Sequence, residues 1–237
     1  MAAGSVNLRD LSSALASHGL ALRGGFNFRD DESRPDGPDG SPGASVMLVG
    51  HLGGAIWPDF SSWLERQSVR PDEPLDHWSG EVIGDVAGRF DARAVFPWER
   101  PYWPFQQWAM RAERLKPSPL GMLIHPEAGL WHAYRGALVV DAGSAFPEVE
   151  NPIHPCDGCV EKPCLTACPV EAFSPGGVDA AGCRSYLDAV GSQSDSTTAP
   201  DCMALGCRAR DACPVGRDHR YRDAQVRFHM VAFARAG

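Results

Sequence analysis

The chain of 237 residues lacks a long apolar stretch, a basic-then-apolar N-terminus and an excess of positive charge. No apolar run approaches the roughly 18–20 residues that span a bilayer, so we expect no membrane segment. Residues 1–10 do not have the order of a secretory signal, which predicts a cytoplasmic protein in a reducing compartment. The formal net charge of −8 argues against nucleic acid as a partner, because binding phosphates requires a concentrated basic field.

Cysteine and tryptophan are each missing from one part of the chain. All seven tryptophans precede residue 150, and all eight cysteines follow it. This asymmetry predicts two modules, the first held together by an apolar core and the second by metal ligands. We therefore predict one domain over residues 1–149 and another over residues 150–237.

Apolar residues at helical or alternating spacing predict helices and strands that alternate along the first module. The predicted helices cover residues 8–15, 58–67, 74–88 and 104–115, and a closing helix covers residues 223–236. The predicted strands cover residues 20–28, 45–49, 92–96, 121–125 and 130–140, with the last two paired to each other. The pattern indicates an α+β protein whose first domain is a layered α/β structure.

Eight cysteines in a reducing compartment are interpreted as metal ligands before they are interpreted as disulfides. Cys168 and Cys213 each close a run of cysteines and are each followed by proline. In bacterial two-cluster ferredoxins, the cysteine before proline ligates the other cluster. The spacing therefore predicts two [4Fe–4S] clusters with crossed fourth ligands. The first predicted set is Cys156, Cys159, Cys164 and Cys213, and the second is Cys168, Cys183, Cys202 and Cys207.

Other uses of these modules stay open at this point, including the loss of one cluster, because the middle gap of the first cysteine run is two residues longer than in the ferredoxin pattern. Two structural zinc sites would also take eight thiolates, although zinc requires neither the Cys-Pro endings nor the interleaving. A disulfide framework would require an oxidising compartment. A flavin in the first module would require a glycine-rich motif that cradles phosphate, and the glycines within residues 50–54 do not form one.

Residues 182–187 (GCRSYL) and 206–214 resemble the iron–sulfur domain of epoxyqueuosine reductases and reductive dehalogenases. Both families bind cobalamin beside a two-[4Fe–4S] ferredoxin domain. Residues 121–136 (GMLIHPEAGLWHAYRG) resemble the strand-loop-strand signature of the CblC (MMACHC) cobalamin-processing proteins, and residues 74–90 are similar to that family as well. These resemblances imply a nitroreductase-like α/β domain that holds a corrinoid, followed by a bacterial-ferredoxin-like domain.

The same resemblance implies which residues lie near the corrinoid. They are Ile124, His125, Pro126, Gly129, Trp131 and Arg135. A flat macrocycle requires flat side chains and close backbone approach, which Trp131 and Gly129 offer. Taken without the resemblance, Trp131 is more often a core residue and His125 is as often a hydrogen-bonded structural residue as a ligand. Glu99 is the nearest counterpart of the catalytic aspartate of epoxyqueuosine reductases.

Together these features predict an iron–sulfur oxidoreductase that passes electrons through its clusters to a bound corrinoid, with the chemistry belonging to the cofactor. The expected partners are the corrinoid, an electron-donating reductase or ferredoxin, and a second copy of the chain, since nitroreductase-like domains often form dimers. The alternative is a ferredoxin-type electron carrier with a docking domain and no catalysis of its own. The tryptophan-rich first module weighs against this alternative, because an electron carrier does not require such a domain.

Overall fold

The computed structural model describes residues 7–147, 149, 151–174, 177–191 and 202–235. The chain forms two compact units: unit 1 comprises the described residues of Met1–Arg114 and Ala133–Asn151, and unit 2 those of Leu115–His132 and Pro152–Gly237. The predicted boundary after residue 149 assigns Leu115–His132 to the first domain, whereas in the structure this segment belongs to unit 2. No helix in the described part of the chain is both long and apolar enough to cross a membrane.

The structure contains helices and strands in both units, which confirms the mixed α/β class. The helices are α1 (Leu8–Ala16), α2 (Trp57–Glu65), α3 (Pro74–Arg89), α4 (Phe105–Glu113), α5 (Ala180–Gly191), α6 (Cys202–Leu205), α7 (Arg208–Asp211) and α8 (Asp223–Arg235). The strands are β1 (Ala21–Asn27), β2 (Ser45–Leu52), β3 (Arg93–Val95), β4 (Lys116–Pro117), β5 (Leu123–Ile124), β6 (His132–Val140), β7 (Phe173–Ser174) and β8 (Gly177–Val178).

Unit 1 is built on a four-stranded sheet with the order β1-β2-β6-β3. Strand β1 is antiparallel to β2, and β3 is antiparallel to β6. Strand β2 is buried from Ser45 to His51, so both of its faces are covered. Helix α3 contributes the fully buried Trp78, whose ring meets Phe60 of α2 edge to face at a centroid distance of 5.8 Å.

Most of the predicted elements are present with small changes at their ends, and one predicted pairing is wrong. Strand β5 pairs with β4, and only an isolated bridge joins His125 to Gly129 across the turn before β6. Strand β6 instead lies between β2 and β3 in the sheet of unit 1. Alternation of apolar residues indicates that a segment is a strand, but it does not identify the neighbour that accepts its hydrogen bonds.

A buried charge network joins β1, α4 and β6 within unit 1. The Arg23 guanidinium, whose side chain is 4% exposed, donates from Nε and Nη2 to the two carboxylate oxygens of Glu113 at 2.9 and 3.0 Å. A third Arg23 nitrogen donates to the backbone carbonyl of His51 at 3.1 Å. The Tyr134 hydroxyl donates to the same Glu113 carboxylate, and burial raises the pKa of Tyr134 above its ordinary value. The Glu113 carboxylate therefore both neutralises the Arg23 guanidinium and accepts a hydrogen bond from the Tyr134 hydroxyl.

Replacing Glu113 by glutamine should strongly destabilise unit 1, because Arg23 would keep its buried charge without a counter-ion. We expect Glu113→Gln to lower the free energy of unfolding by about 3–5 kcal/mol. The double variant Arg23→Met/Glu113→Gln should recover part of that loss, since it removes both charges. Urea unfolding followed by tryptophan fluorescence measures both values. Arg29→Met, at an arginine that is 74% exposed, is the control and should change stability by less than about 0.5 kcal/mol.

Candidate metal centre

The eight cysteines lie in loops and helices of unit 2. Cys156 and Cys159 belong to an irregular loop, and Cys164 lies in the short 3-10 helix Pro163–Leu165. The other five are Cys168 in the following loop, Cys183 in α5, Cys202 at the start of α6, Cys207 at the N-cap of α7 and Cys213 after α7. All eight are free thiols.

Four of the cysteines form a first group. Burial raises the pKa of the Cys156 thiol, and the nearby charges of Cys213, Cys164 and Cys159 raise it further. The pKa of the Cys164 thiol is also raised, first by burial and then by the charges of Cys213 and Cys159. Cys213 therefore lies with the three cysteines of the first run, although about fifty residues of sequence separate them.

The other four cysteines form a second group. Burial raises the pKa of Cys183, and the charges of Cys207, Cys168 and Cys202 raise it further. Cys168 also raises the pKa values of Cys202 and Cys207, in both cases after burial. The two groups have the same membership as the two ligand sets that the crossed spacing predicts.

The second group contributes to the wall of a cavity of about 320 Å³ in unit 2. All four of its cysteines line the cavity, and most of the remaining wall is apolar, including Phe173 and Met230. None of the six residues predicted to contact a corrinoid is among the described residues that line it. Within the described residues, no three His, Cys, Asp or Glu side chains converge on a point that could hold one metal ion. The four cysteines of this group thus line a shared volume and do not meet at a single point.

Backbone N–H groups already act on several of these sulfur atoms. The N–H of Ala172 donates to Cys168 Sγ at 3.4 Å. Backbone N–H groups of Arg210 and Ala209 lower the pKa of Cys207, opposing the larger effect of burial. Amide hydrogen bonds to sulfur stabilise the thiolate form that binds metal. The donor set, the apolar wall and these amides fit a four-thiolate iron–sulfur cluster.

The segment with the Ile-His-Pro sequence belongs to unit 2 and packs on the first cysteine group. Ile124 and Leu130 share an apolar cluster with Cys164 and Cys213. The Nδ1 atom of His125 accepts hydrogen bonds from the backbone N–H groups of residues 127 and 128 at 3.1 and 3.0 Å. His125 is therefore a turn-stabilising residue, and Ile124 is a core residue that is 2% exposed.

Two glycines bring this turn into backbone contact with the segment that follows Cys213. Gly129 has φ +58°, and a Cβ atom there would lie 2.2 Å from the carbonyl oxygen of Val215. Gly216 has φ +73°, and a Cβ atom there would lie 2.1 Å from the carbonyl oxygen of Ala128. The absence of a side chain at Gly129 thus allows the backbone of Val215 to approach closely.

Trp131 is a packed residue of unit 2 with an exposure of 5%. The Arg210 guanidinium lies over its ring at 4.2 Å, and Tyr221 meets the ring edge to face at 5.2 Å. Arg210 also donates two hydrogen bonds to the backbone carbonyl of Leu130, at 3.1 and 2.7 Å. Arg210 joins the turn to α7, and no cysteine motif indicated this role.

Arg135 and Glu99 lie in unit 1 and have partners there. Arg135 pairs with the Asp76 carboxylate of α3, and its Nε donates to Ser79 Oγ at 3.0 Å. Glu99 accepts from the backbone N–H of Phe96 at 3.3 Å, and one of its oxygens lies 3.4 Å from the Arg93 guanidinium. Arg135 therefore belongs to a different unit from the other five residues of the predicted corrinoid set. The Pro126 side chain is exposed.

The chain matches no protein-family model, and no curated protein matches it. Among solved structures, it resembles the B12-trafficking protein CblC of C. elegans, a homologue of human MMACHC. The TM-score is 0.54 at 13% identity, and the match covers 96% of this chain and 91% of that one. The chain shares its fold with CblC. The resemblance predicted from residues 121–136 is confirmed at this level.

Epoxyqueuosine reductases are also among the similar structures. The enzyme of Bacillus subtilis matches with a TM-score of 0.45 at 16% identity, over 76% of this chain and 50% of that one. An epoxyqueuosine reductase with an epoxyqueuosine-modified tRNA-Tyr stem loop matches with a TM-score of 0.42 at 15% identity, over the same shares. This chain spans about half the length of these enzymes. The expectation that nucleic acid is not a partner rests on net charge alone.

Substituting Gly129 distinguishes a role of this residue in packing from a role in contacting a ligand. Gly129→Ala should lower the free energy of unfolding by at least about 3 kcal/mol, because it combines left-handed strain with a collision against Val215. Gly121→Ala is the matched control, since Gly121 has φ +78° with nothing within 4 Å and should cost only about 1–2 kcal/mol. Urea unfolding of the corrinoid-free protein, followed by circular dichroism, gives both values. Equal losses would contradict the packing role and favour a role in ligand approach.

Proposed function

We propose that this protein is an oxidoreductase that passes electrons through two [4Fe–4S] clusters to a bound corrinoid. Each cysteine group would hold one cluster: Cys156, Cys159, Cys164 and Cys213 the first, and Cys168, Cys183, Cys202 and Cys207 the second. In the finer description of the fold, unit 1 is a nitroreductase-like domain and the cysteine segment is a bacterial-ferredoxin-like domain. Reduction of cobalt, removal of an upper ligand, or use of the reduced corrinoid on another substrate all fall within this proposal.

The observation that carries the cluster proposal is the sorting of eight free thiols into two groups of four. A bound cluster would supply the electron storage, and the chain would supply thiolates, backbone N–H donors and an apolar enclosure. The apolar wall lowers the polarity around the second group, and the N–H donors stabilise negative charge on sulfur. These contributions favour a protein that transfers electrons.

The corrinoid part of the proposal rests on the likeness to CblC over 96% of the chain. We propose that the corrinoid lies near this turn, where Pro126 is exposed and His125 is half-buried. We assign Ile124, Gly129 and Trp131 to the support of that turn, because their surfaces are already used by the chain. Arg135 is assigned to the support of α3.

Paired cysteine substitutions test the crossed assignment. Two four-iron clusters correspond to about eight iron and eight sulfide ions per chain after anaerobic reconstitution. The variant Cys168→Ser/Cys183→Ser changes one group only and should keep about four iron ions. The variant Cys168→Ser/Cys156→Ser changes both groups and should lose most of its iron. The reverse order of iron contents would show that each run of cysteines serves its own cluster, and bound zinc in place of iron and sulfide would refute the clusters.

Adding hydroxocobalamin to the reduced, cluster-loaded protein tests the acceptor. We expect binding, and a change of the visible spectrum as cobalt is reduced. The Cys168→Ser/Cys183→Ser variant is the control and should bind hydroxocobalamin while reducing it far more slowly. Clusters that are reduced and reoxidised with no effect of cobalamin would contradict this acceptor and favour the electron carrier with a docking domain.

A further inference from the structure

Unit 2 contains buried hydrogen-bond donors that have no acceptor. Four side-chain nitrogens lack one among the described residues: Trp131 Nε1, His154 Nε2, Arg220 Nε and Gln225 Nε2. A buried N–H group without an acceptor costs about 1–3 kcal/mol, so native proteins seldom keep one unless a bound group satisfies it. Arg220 Nε lies 3.0 Å from a carboxylate oxygen of Asp211, which is its ionic partner. Trp131, His154 and Gln225 keep donors without an acceptor, and the last two belong to elements that carry or contact the cysteines.

His154 belongs to the loop of the first cysteine group. Its Nδ1 accepts a hydrogen bond from the backbone N–H of Cys156 at 3.3 Å. An Nδ1 that accepts requires the hydrogen of the neutral ring to be on Nε2. The side chain is 13% exposed, and Nε2 is enclosed without an acceptor. The ring thus has an enclosed N–H donor in the residue that lies two positions before Cys156.

Gln225 belongs to the environment of the second cysteine group. It lies on α8, which contacts α5 and α6, the helices that carry Cys183 and Cys202. Gln225 is 1% exposed and is the buried residue of α8. His229, one turn further along the same face, lines the cavity together with the second group of cysteines. Gln225 is therefore buried on the face of α8 that also carries His229.

We propose that His154 Nε2 and Gln225 Nε2 donate hydrogen bonds to sulfur of the first and second clusters respectively, and thereby raise their reduction potentials. The proposal rests on the clusters of the proposed function and adds the residues that tune them. Hydrogen bonds to sulfur stabilise the more negative, reduced state of a cluster, because its sulfur atoms carry more charge. One donor per cluster allows each potential to be changed separately.

The test measures both midpoint potentials by EPR-monitored redox titration of the full-length, reconstituted protein. His154→Asn keeps an acceptor close to the Nδ1 position and removes the Nε2 donor, while His154→Gln places an amide N–H near the Nε2 position. Gln225→Met keeps the length of the side chain and removes the donor, and Ala224→Met, at an exposed position of α8, is its control.

We expect His154→Asn to lower one potential and Gln225→Met the other. Each change should be about tenfold in the redox equilibrium, or about 59 mV for one electron. His154→Gln and Ala224→Met should stay near the wild-type values. In each variant, the unaffected cluster serves as the internal reference, and iron–sulfur stretching frequencies from resonance Raman spectra should change only for the cluster whose donor is removed.

Unchanged potentials in His154→Asn and Gln225→Met at full iron content would overturn the inference while leaving the proposed function intact. Equal changes in His154→Asn and His154→Gln would also overturn it for His154, because the donor would then not matter. A shift in one of the two donor variants alone would overturn the assignment of the other donor. A wild-type protein without iron and sulfide would instead refute the proposed function, and the inference with it.

Discussion

The backbone contact between residues 128–129 and 215–216 is the constraint on which unit 2 depends. Each of the two segments has a glycine with positive φ at the contact. A Cβ atom on Gly129 or Gly216 would lie about 2 Å from a carbonyl oxygen of the opposite segment. The contact fixes the turn before β6 against the segment that leaves Cys213. Leu130 and Ile124 are thereby placed in the apolar cluster that includes Cys164 and Cys213. A segment distant in sequence thus becomes part of the enclosure of the first cysteine group.

Apart from α5 and α8, the described part of unit 2 has little regular structure, since α6 and α7 have four residues each and the strand pairs have two residues per strand. Such elements bury little apolar surface on their own, so bound clusters would supply part of the folding free energy. Unit 1 differs, because a fully covered strand, aromatic packing between α2 and α3, and the Arg23–Glu113–Tyr134 network stabilise it without ligands. The distribution of tryptophan and cysteine along the sequence reflects these two means of stabilisation.

The membership of the cysteine groups was predicted from the pattern of two-cluster ferredoxins, in which the cysteine before proline ligates the other cluster; that these groups hold clusters stays a prediction. The contacts of Gly129 and Trp131 within unit 2 could not be predicted in the same way, and their place beside a corrinoid stays a prediction. A glycine indicates close approach without identifying what approaches, and the backbone of Val215 approaches Gly129. The partner of β6 was missed because alternation is a local signal, whereas pairing is decided by distant segments. His154 and Gln225 carried no motif; the one available signal was a polar residue on the inward face of α8, four residues before His229.

The unpaired donors connect the stability of unit 2 with its redox chemistry. An enclosed N–H group without an acceptor costs free energy, and His154 and Gln225 each have one. Sulfur at either cluster would remove this cost on loading and would bind the same hydrogens more tightly after reduction, when its charge is greater. Neutral donors are suited to this task, because they act at short range and leave the net charge of the chain unchanged. Cations such as Arg208 and Arg210 act over longer distances, so they would shift both clusters together.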